Sequence, residues 1–92
     1  RSGENRFVGV PNLIVEILSP SNQSHDLVTK MEAYMKYGVK EYWVVNPMLN
    51  AIQLYALTDE QVYQQVDVMK DKGKISSTIL KGFHVDLADV FR

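Results

Sequence analysis

Asn12-Leu13-Ile14-Val15-Glu16-Ile17-Leu18 is an apolar, strand-forming run with one carboxylate inside it. Its reading decides the fold. In an extended strand successive side chains point to opposite faces, so Leu13, Val15 and Ile17 line one side, and Asn12, Ile14, Glu16 and Leu18 the other. Both faces are largely apolar, the pattern of a strand in a mixed or parallel sheet that is covered on both sides. A carboxylate there is costly to desolvate unless it is paired, protonated or bound to a cation. The plainer alternative is that Glu16 lies near the rim of the sheet and reaches water.

Downstream, Ser19-Pro20-Ser21-Asn22-Gln23-Ser24 reads as a polar loop, and His25 to Tyr37 as a helix. Ser24 is a candidate N-cap, Asp26 suits the positive end of the helix dipole, and Gly38 stands where a left-handed C-cap glycine belongs. Leu27, Met31 and Tyr34 recur at helical spacing and are expected to face the sheet. Glu16 lies two residues before the end of its run, about 7 Å at ~3.3 Å per residue. Lys30 lies about 7.5 Å into the helix at ~1.5 Å per residue. A helix folding back over its strand therefore brings Lys30 to the level of Glu16, with Asp26 one turn earlier on the same flank. The ordinary alternative is an i, i+4 surface pair between Asp26 and Lys30, worth a few tenths of a kcal/mol.

Glu41-Tyr42-Trp43-Val44-Val45 reads as a second strand, which a helical crossover makes parallel to the first. Ala51 to Leu57 and Tyr63 to Met69 alternate and predict two antiparallel strands with polar outer faces. Turns are expected at Met48-Leu49-Asn50, Thr58 to Gln61 and Asp71-Lys72-Gly73-Lys74. A short strand from Ile75 to Thr78 and a terminal helix opened by Asp86 complete the chain. Trp43 and the five tyrosines could stack on nucleobases, but aromatics at strand positions more often build the core.

The segment Pro11 to Ser21, then Asp26-Leu27, Lys30, Tyr34 and Gly38-Val39-Lys40-Glu41-Tyr42-Trp43-Val44-Val45-Asn46-Pro47, resembles the Uma-two family. Its members are described as restriction endonucleases and placed in the PD-(D/E)XK nuclease superfamily. The likeness continues more loosely to Gly82-Phe83-His84-Val85-Asp86-Leu87-Ala88-Asp89-Val90-Phe91. It implies an α/β, restriction-endonuclease-like mixed sheet with a crossover helix: strand, helix, parallel strand, then antiparallel strands. It also implies a DNA endonuclease dependent on Mg²⁺, with Glu16 as metal ligand, Lys30 as catalytic cation and Asp26 in support. Leu18 stands where the superfamily usually carries its lysine, and Lys30 matches the lysine that the following helix supplies instead. Asn12 replaces an aspartate that many relatives have; its amide can offer the cation an oxygen but not a negative charge. Relatives are roughly twice as long, so residues 1–92 are expected to be a single domain, the C-terminal part of such a nuclease, truncated at its N-terminus. The first metal aspartate and a helix-borne acid would then lie upstream, and the fragment alone is expected to be inactive. The competing expectation is a non-catalytic binding or assembly module on a decayed nuclease scaffold.

Composition bounds these readings. A formal net charge of -1 and a pI near 6.1 give no global attraction to polyphosphate, so DNA contact requires a local basic patch. Lys30, Lys36 and Lys40 are candidates; Lys70, Lys72, Lys74 and Lys81 read as solvated surface. Absent cysteine excludes disulfides and thiolate metal sites and fits a cytoplasmic protein. His25 and His84 are too isolated for a zinc site. No apolar run approaches the ~20 residues of a spanning helix, so no membrane role is expected. A sheet lacking its first half exposes an edge, which predicts a homodimer or larger homo-oligomer.

Overall fold

The structure is a computed structural model that describes residues 11–20 and 25–91, the side chains of His25 and Asp26 excepted. The element order is β1 (Leu13–Ile17), α1 (His25–Tyr37), β2 (Glu41–Asn46), β3 (Ala51–Leu57), β4 (Tyr63–Lys70), β5 (Lys74–Ser76), β6 (His84–Asp86) and α2 (Leu87–Val90). The first four strands form one sheet in the order β1-β2-β3-β4. β1 pairs parallel with β2, with Ile14 opposite Tyr42 and Glu16 opposite Val44. Glu41 N–H donates to the Asn12 carbonyl and Leu18 N–H to the Val45 carbonyl, which extends this ladder at both ends. β2, β3 and β4 run antiparallel in turn, with a register shift between Leu54 and Tyr55. The α/β class and mixed sheet expected from the sequence are present.

α1 ends as its glycine predicts. Gly38 has φ 83°, and its N–H reaches the Met35 carbonyl while the Val39 N–H reaches that of Tyr34. This is the Schellman arrangement, which satisfies the last carbonyls and turns the chain back toward β2. The expected N-cap, Ser24, lies outside the described residues.

Each sheet face carries its own core, because β2 alternates with both sides buried. On one face Tyr42, Val44 and Leu18 pack with Leu27, Met31 and Tyr34 of α1, joined by Ile14, Tyr55 and Tyr63. Tyr55 and Tyr63 therefore correct the expectation that β3 and β4 turn only polar residues outward. On the other face Trp43, Val45, Ile52 and Leu54 pack against Ile75 and Leu87, with Val85 and Phe91 alongside. β5, which overlaps the strand expected near Ile75 to Thr78, pairs antiparallel with β6 in a separate ribbon there; β6 itself is not among the expected strands. α2 is opened by Asp86, whose carboxylate accepts from the Ala88 N–H at 3.0 Å, as expected.

β1 departs from its expected environment. It lies at the edge of the sheet, and Val15 and Ile17 are 46% and 62% exposed. Apolar residues on both faces thus do not mean cover on both faces within this chain. The α1 face is covered at Leu18, whereas the face bearing Val15 and Ile17 is open.

Candidate active site

Lys30 and Glu16 meet across β1 and α1. Lys30 Nζ lies 2.9 Å from Glu16 Oε2, and the two side chains are 37% and 15% exposed. Two local features create the contact. β1 turns Ile14, Glu16 and Leu18 toward α1, and Lys30 lies one residue from the sheet-facing Met31, on the flank of the helix that overhangs the edge strand. Its aliphatic stem can cross apolar surface while the ammonium meets the carboxylate. A pair this exposed is worth no more than about 1 kcal/mol to the fold, since solvent screens it.

Leu18 occupies a core position at the end of the strand that carries Glu16. Two residues beyond Glu16 on the same strand face, it is 7% exposed and packed with Tyr42 and Val44. A charged group there would be buried in the core beneath α1, whereas Lys30 approaches from the rim.

Asn12 is exposed and immediately precedes β1. Four residues of extended chain place it about 13 Å from Glu16. Two oxygens on one Mg²⁺ lie within roughly 4 Å of each other. Sharing one ion between Asn12 and Glu16 is therefore disfavoured, which narrows the expected ligands to Glu16. Asp26 lies in the first turn of α1 by its backbone, and its side chain lies outside the described residues. Among the described residues no three His, Cys, Asp or Glu side chains converge on one metal position. The local donor set thus offers a hard cation one carboxylate, a ligand type that suits Mg²⁺ but does not complete its shell.

Beneath Glu16 lies a cluster of four tyrosines. Tyr42 meets Tyr34 edge-on at a centroid distance of 5.3 Å, stacks on Tyr63 at 5.7 Å and contacts Tyr55 at 6.4 Å. Burial, and after it the charge of Glu16, raises the Tyr42 pKa well above the usual tyrosine value. Burial also raises Tyr55, and pushes Tyr63 up to about 12.

A second acidic residue escaped sequence reading. Glu41 opens β2 and is fully buried. Its Oε1 accepts from Trp43 Nε1 at 2.9 Å and Ser77 Oγ at 2.7 Å; its Oε2 accepts from the N–H and Oγ1 of Thr78, both at 2.7 Å. Burial alone would raise its pKa, but the hydrogen bonds from Trp43, Thr78 and Ser77 outweigh it and hold the carboxyl below its ordinary value. With every lone-pair direction engaged, Glu41 is a structural anchor. The i, i+2 spacing of Glu41 and Trp43 on one strand face was the one available signal, since a buried indole N–H needs an acceptor.

The lysines Lys36, Lys40, Lys70, Lys72, Lys74 and Lys81 are exposed. Among the described residues no helix is long and apolar enough to cross a membrane.

Comparison with known proteins agrees with this architecture. No curated protein matches the chain. Among solved structures it is similar to a protein from Anabaena variabilis described as a putative nuclease belonging to DUF820. That match has a TM-score of 0.68 and 24% identity, and covers 92% of this chain and 46% of the other. The chain thus spans about half the length of that nuclease-like protein, and the match establishes the fold. The family model Uma2, described as "Putative restriction endonuclease", matches residues 1–88, and by that match the chain belongs to the Uma2 family.

Proposed function

We propose that this chain is the C-terminal part of a Mg²⁺-dependent DNA endonuclease domain, in which Glu16 binds the cation and Lys30 is the catalytic lysine. The contact that carries this reading is Lys30 Nζ to Glu16 Oε2 at 2.9 Å. It joins a strand carboxylate and a helix lysine in the parallel β1-α1-β2 unit. Family membership supplies the reaction class, phosphodiester hydrolysis.

The chemistry follows from what each group can do. Glu16 offers a hard oxygen ligand on the edge strand, with its side chain 15% exposed and paired with Lys30. A cation held by Glu16 would supply polarisation of the scissile phosphate and a more acidic water. Lys30 holds positive charge against Glu16, where it neutralises charge that grows on the phosphate and orients the attacking water. Asp26, four residues before Lys30 in sequence, is assigned a supporting role through that lysine. Asn12, just before β1, is assigned a phosphate contact beyond the ion. One carboxylate leaves most of an octahedral shell unfilled, so the remaining ligands are assigned to the part of the nuclease fold that this chain does not span.

Cleavage of supercoiled plasmid by the whole protein tests the proposal. With Mg²⁺ present, Glu16→Gln and Lys30→Ala should each lower the rate by about 100-fold or more. Each should change folding stability by under about 1 kcal/mol. The 92-residue chain by itself should cut little or not at all. Plasmid cleavage that Glu16→Gln leaves unaltered would overturn the assignment. DNA binding without cleavage by the whole protein would instead favour the non-catalytic module.

A further inference from the structure

The Tyr42 hydroxyl is buried with no hydrogen-bond partner among the described residues, and the residue is 0% exposed. A buried polar group left unpaired works against folding, so its retention asks for a reason. Ring packing does not supply one, because phenylalanine would fill the same space between Tyr34, Tyr55 and Tyr63. Tyr63 shows the contrast: its hydroxyl donates to the Val39 carbonyl at 2.8 Å.

The sheet register sets the strand neighbours of Tyr42. Tyr42 is opposite Ile14 and Val44 is opposite Glu16, so Tyr42 and Glu16 are diagonal neighbours across β1 and β2, on the face covered by α1. Burial first, and then the charge of Glu16, raise the Tyr42 pKa. In the present state the carboxylate is engaged by Lys30. A carboxylate that turns from an ammonium to a metal ion needs something else to fix its plane, and a phenol O–H is a suitable donor.

Resting on the nuclease reading above, we propose that Tyr42 is a positioning residue for Glu16: its hydroxyl donates to the carboxylate when Glu16 takes up a divalent cation. Tyr42 touches neither cation nor substrate; it acts through Glu16.

The test uses Mn²⁺ as a paramagnetic stand-in for Mg²⁺, on the whole protein, with urea unfolding alongside. Tyr42→Phe should unfold at the same or a higher urea concentration, because it removes an unpaired group. Its Mn²⁺ affinity should fall by about ten- to a hundredfold. Mn²⁺ should also perturb the near-ultraviolet tyrosine spectrum of the natural protein, and Tyr42→Phe should abolish that change. Tyr55→Phe, in the same cluster, should leave Mn²⁺ affinity unchanged. Unaltered Mn²⁺ affinity in Tyr42→Phe, with Glu16→Gln abolishing binding, overturns the role of Tyr42 and spares the nuclease reading. Loss of stability in Tyr42→Phe also overturns it, because the hydroxyl would then have a structural partner. Absence of Mn²⁺ binding, or binding that survives Glu16→Gln, overturns both.

Discussion

Thr78 binds one oxygen of Glu41 twice: its backbone N–H and its hydroxyl both donate to Oε2 at 2.7 Å, across 37 residues of chain. Together with Ser77 and Trp43, it ties the segment after β5 to the first residue of β2. Glu41→Ala should therefore leave the buried Trp43 Nε1 and the part-buried donors of Ser77 and Thr78 without their acceptor and destabilise the chain by about 3 kcal/mol or more. Glu41→Gln keeps the volume but turns an amide toward donors, and should cost about 1–3 kcal/mol. Urea unfolding followed by Trp43 fluorescence measures both. A loss under about 0.5 kcal/mol for the alanine variant would show that the anchor contributes little.

Acid should reveal the same carboxylate. The folded Glu41 pKa is depressed below its ordinary value of 4.5, so the folded state binds this proton less readily than the unfolded state. Its contribution is fully present above the unfolded pKa and is lost as pH falls through the folded pKa. Urea midpoints should therefore drop on acidification below about pH 4.5. Glu41→Gln should flatten that part of the profile. An unchanged slope would assign the acid sensitivity to other carboxylates.

The tyrosine cluster predicts the opposite limb. Tyr42, Tyr55 and Tyr63 have raised pKa values in the fold, chiefly through burial. For an acid whose folded pKa is raised, stability is complete below the unfolded pKa and falls as pH rises above it. Alkaline unfolding should thus begin above about pH 10. A spectrophotometric titration should show these tyrosines ionising together with loss of structure. Smooth ionisation of all five tyrosines near pH 10, with the fold retained, would contradict the burial described here.

The exposed edge of β1 predicts association. Val15 and Ile17 present apolar surface on an edge strand, and such edges recruit further strands. The 92-residue chain should show a concentration-dependent homodimer or larger homo-oligomer in sedimentation velocity. Ile17→Lys should shift it toward monomer, since edge lysines oppose strand pairing. A monomer at high concentration for the unaltered chain would rule this edge out as a self-association surface.

What the sequence determined by itself was the local frame of the site. Alternation in β1, helical spacing of Leu27, Met31 and Tyr34, and Gly38 as terminator are short-range signals with fixed periods. Rise per residue carried them one step further, to the meeting of Lys30 with Glu16. Family likeness added the reading of that meeting as nuclease chemistry. Tertiary structure alone decided the rest. The strand expected over Ile75 to Thr78 is shortened to Lys74–Ser76, because Ser77 and Thr78 leave the ladder to bind Glu41. No local pattern encodes a pairing over 37 residues, since it depends on where β6 and α2 pack against Trp43. The open face of β1 was likewise undecided locally, because an apolar residue reads the same whether or not a neighbour covers it. The unpaired hydroxyl of Tyr42 belongs with these: residue type shows that a donor exists, and only the packed arrangement shows that nothing among the described residues accepts it.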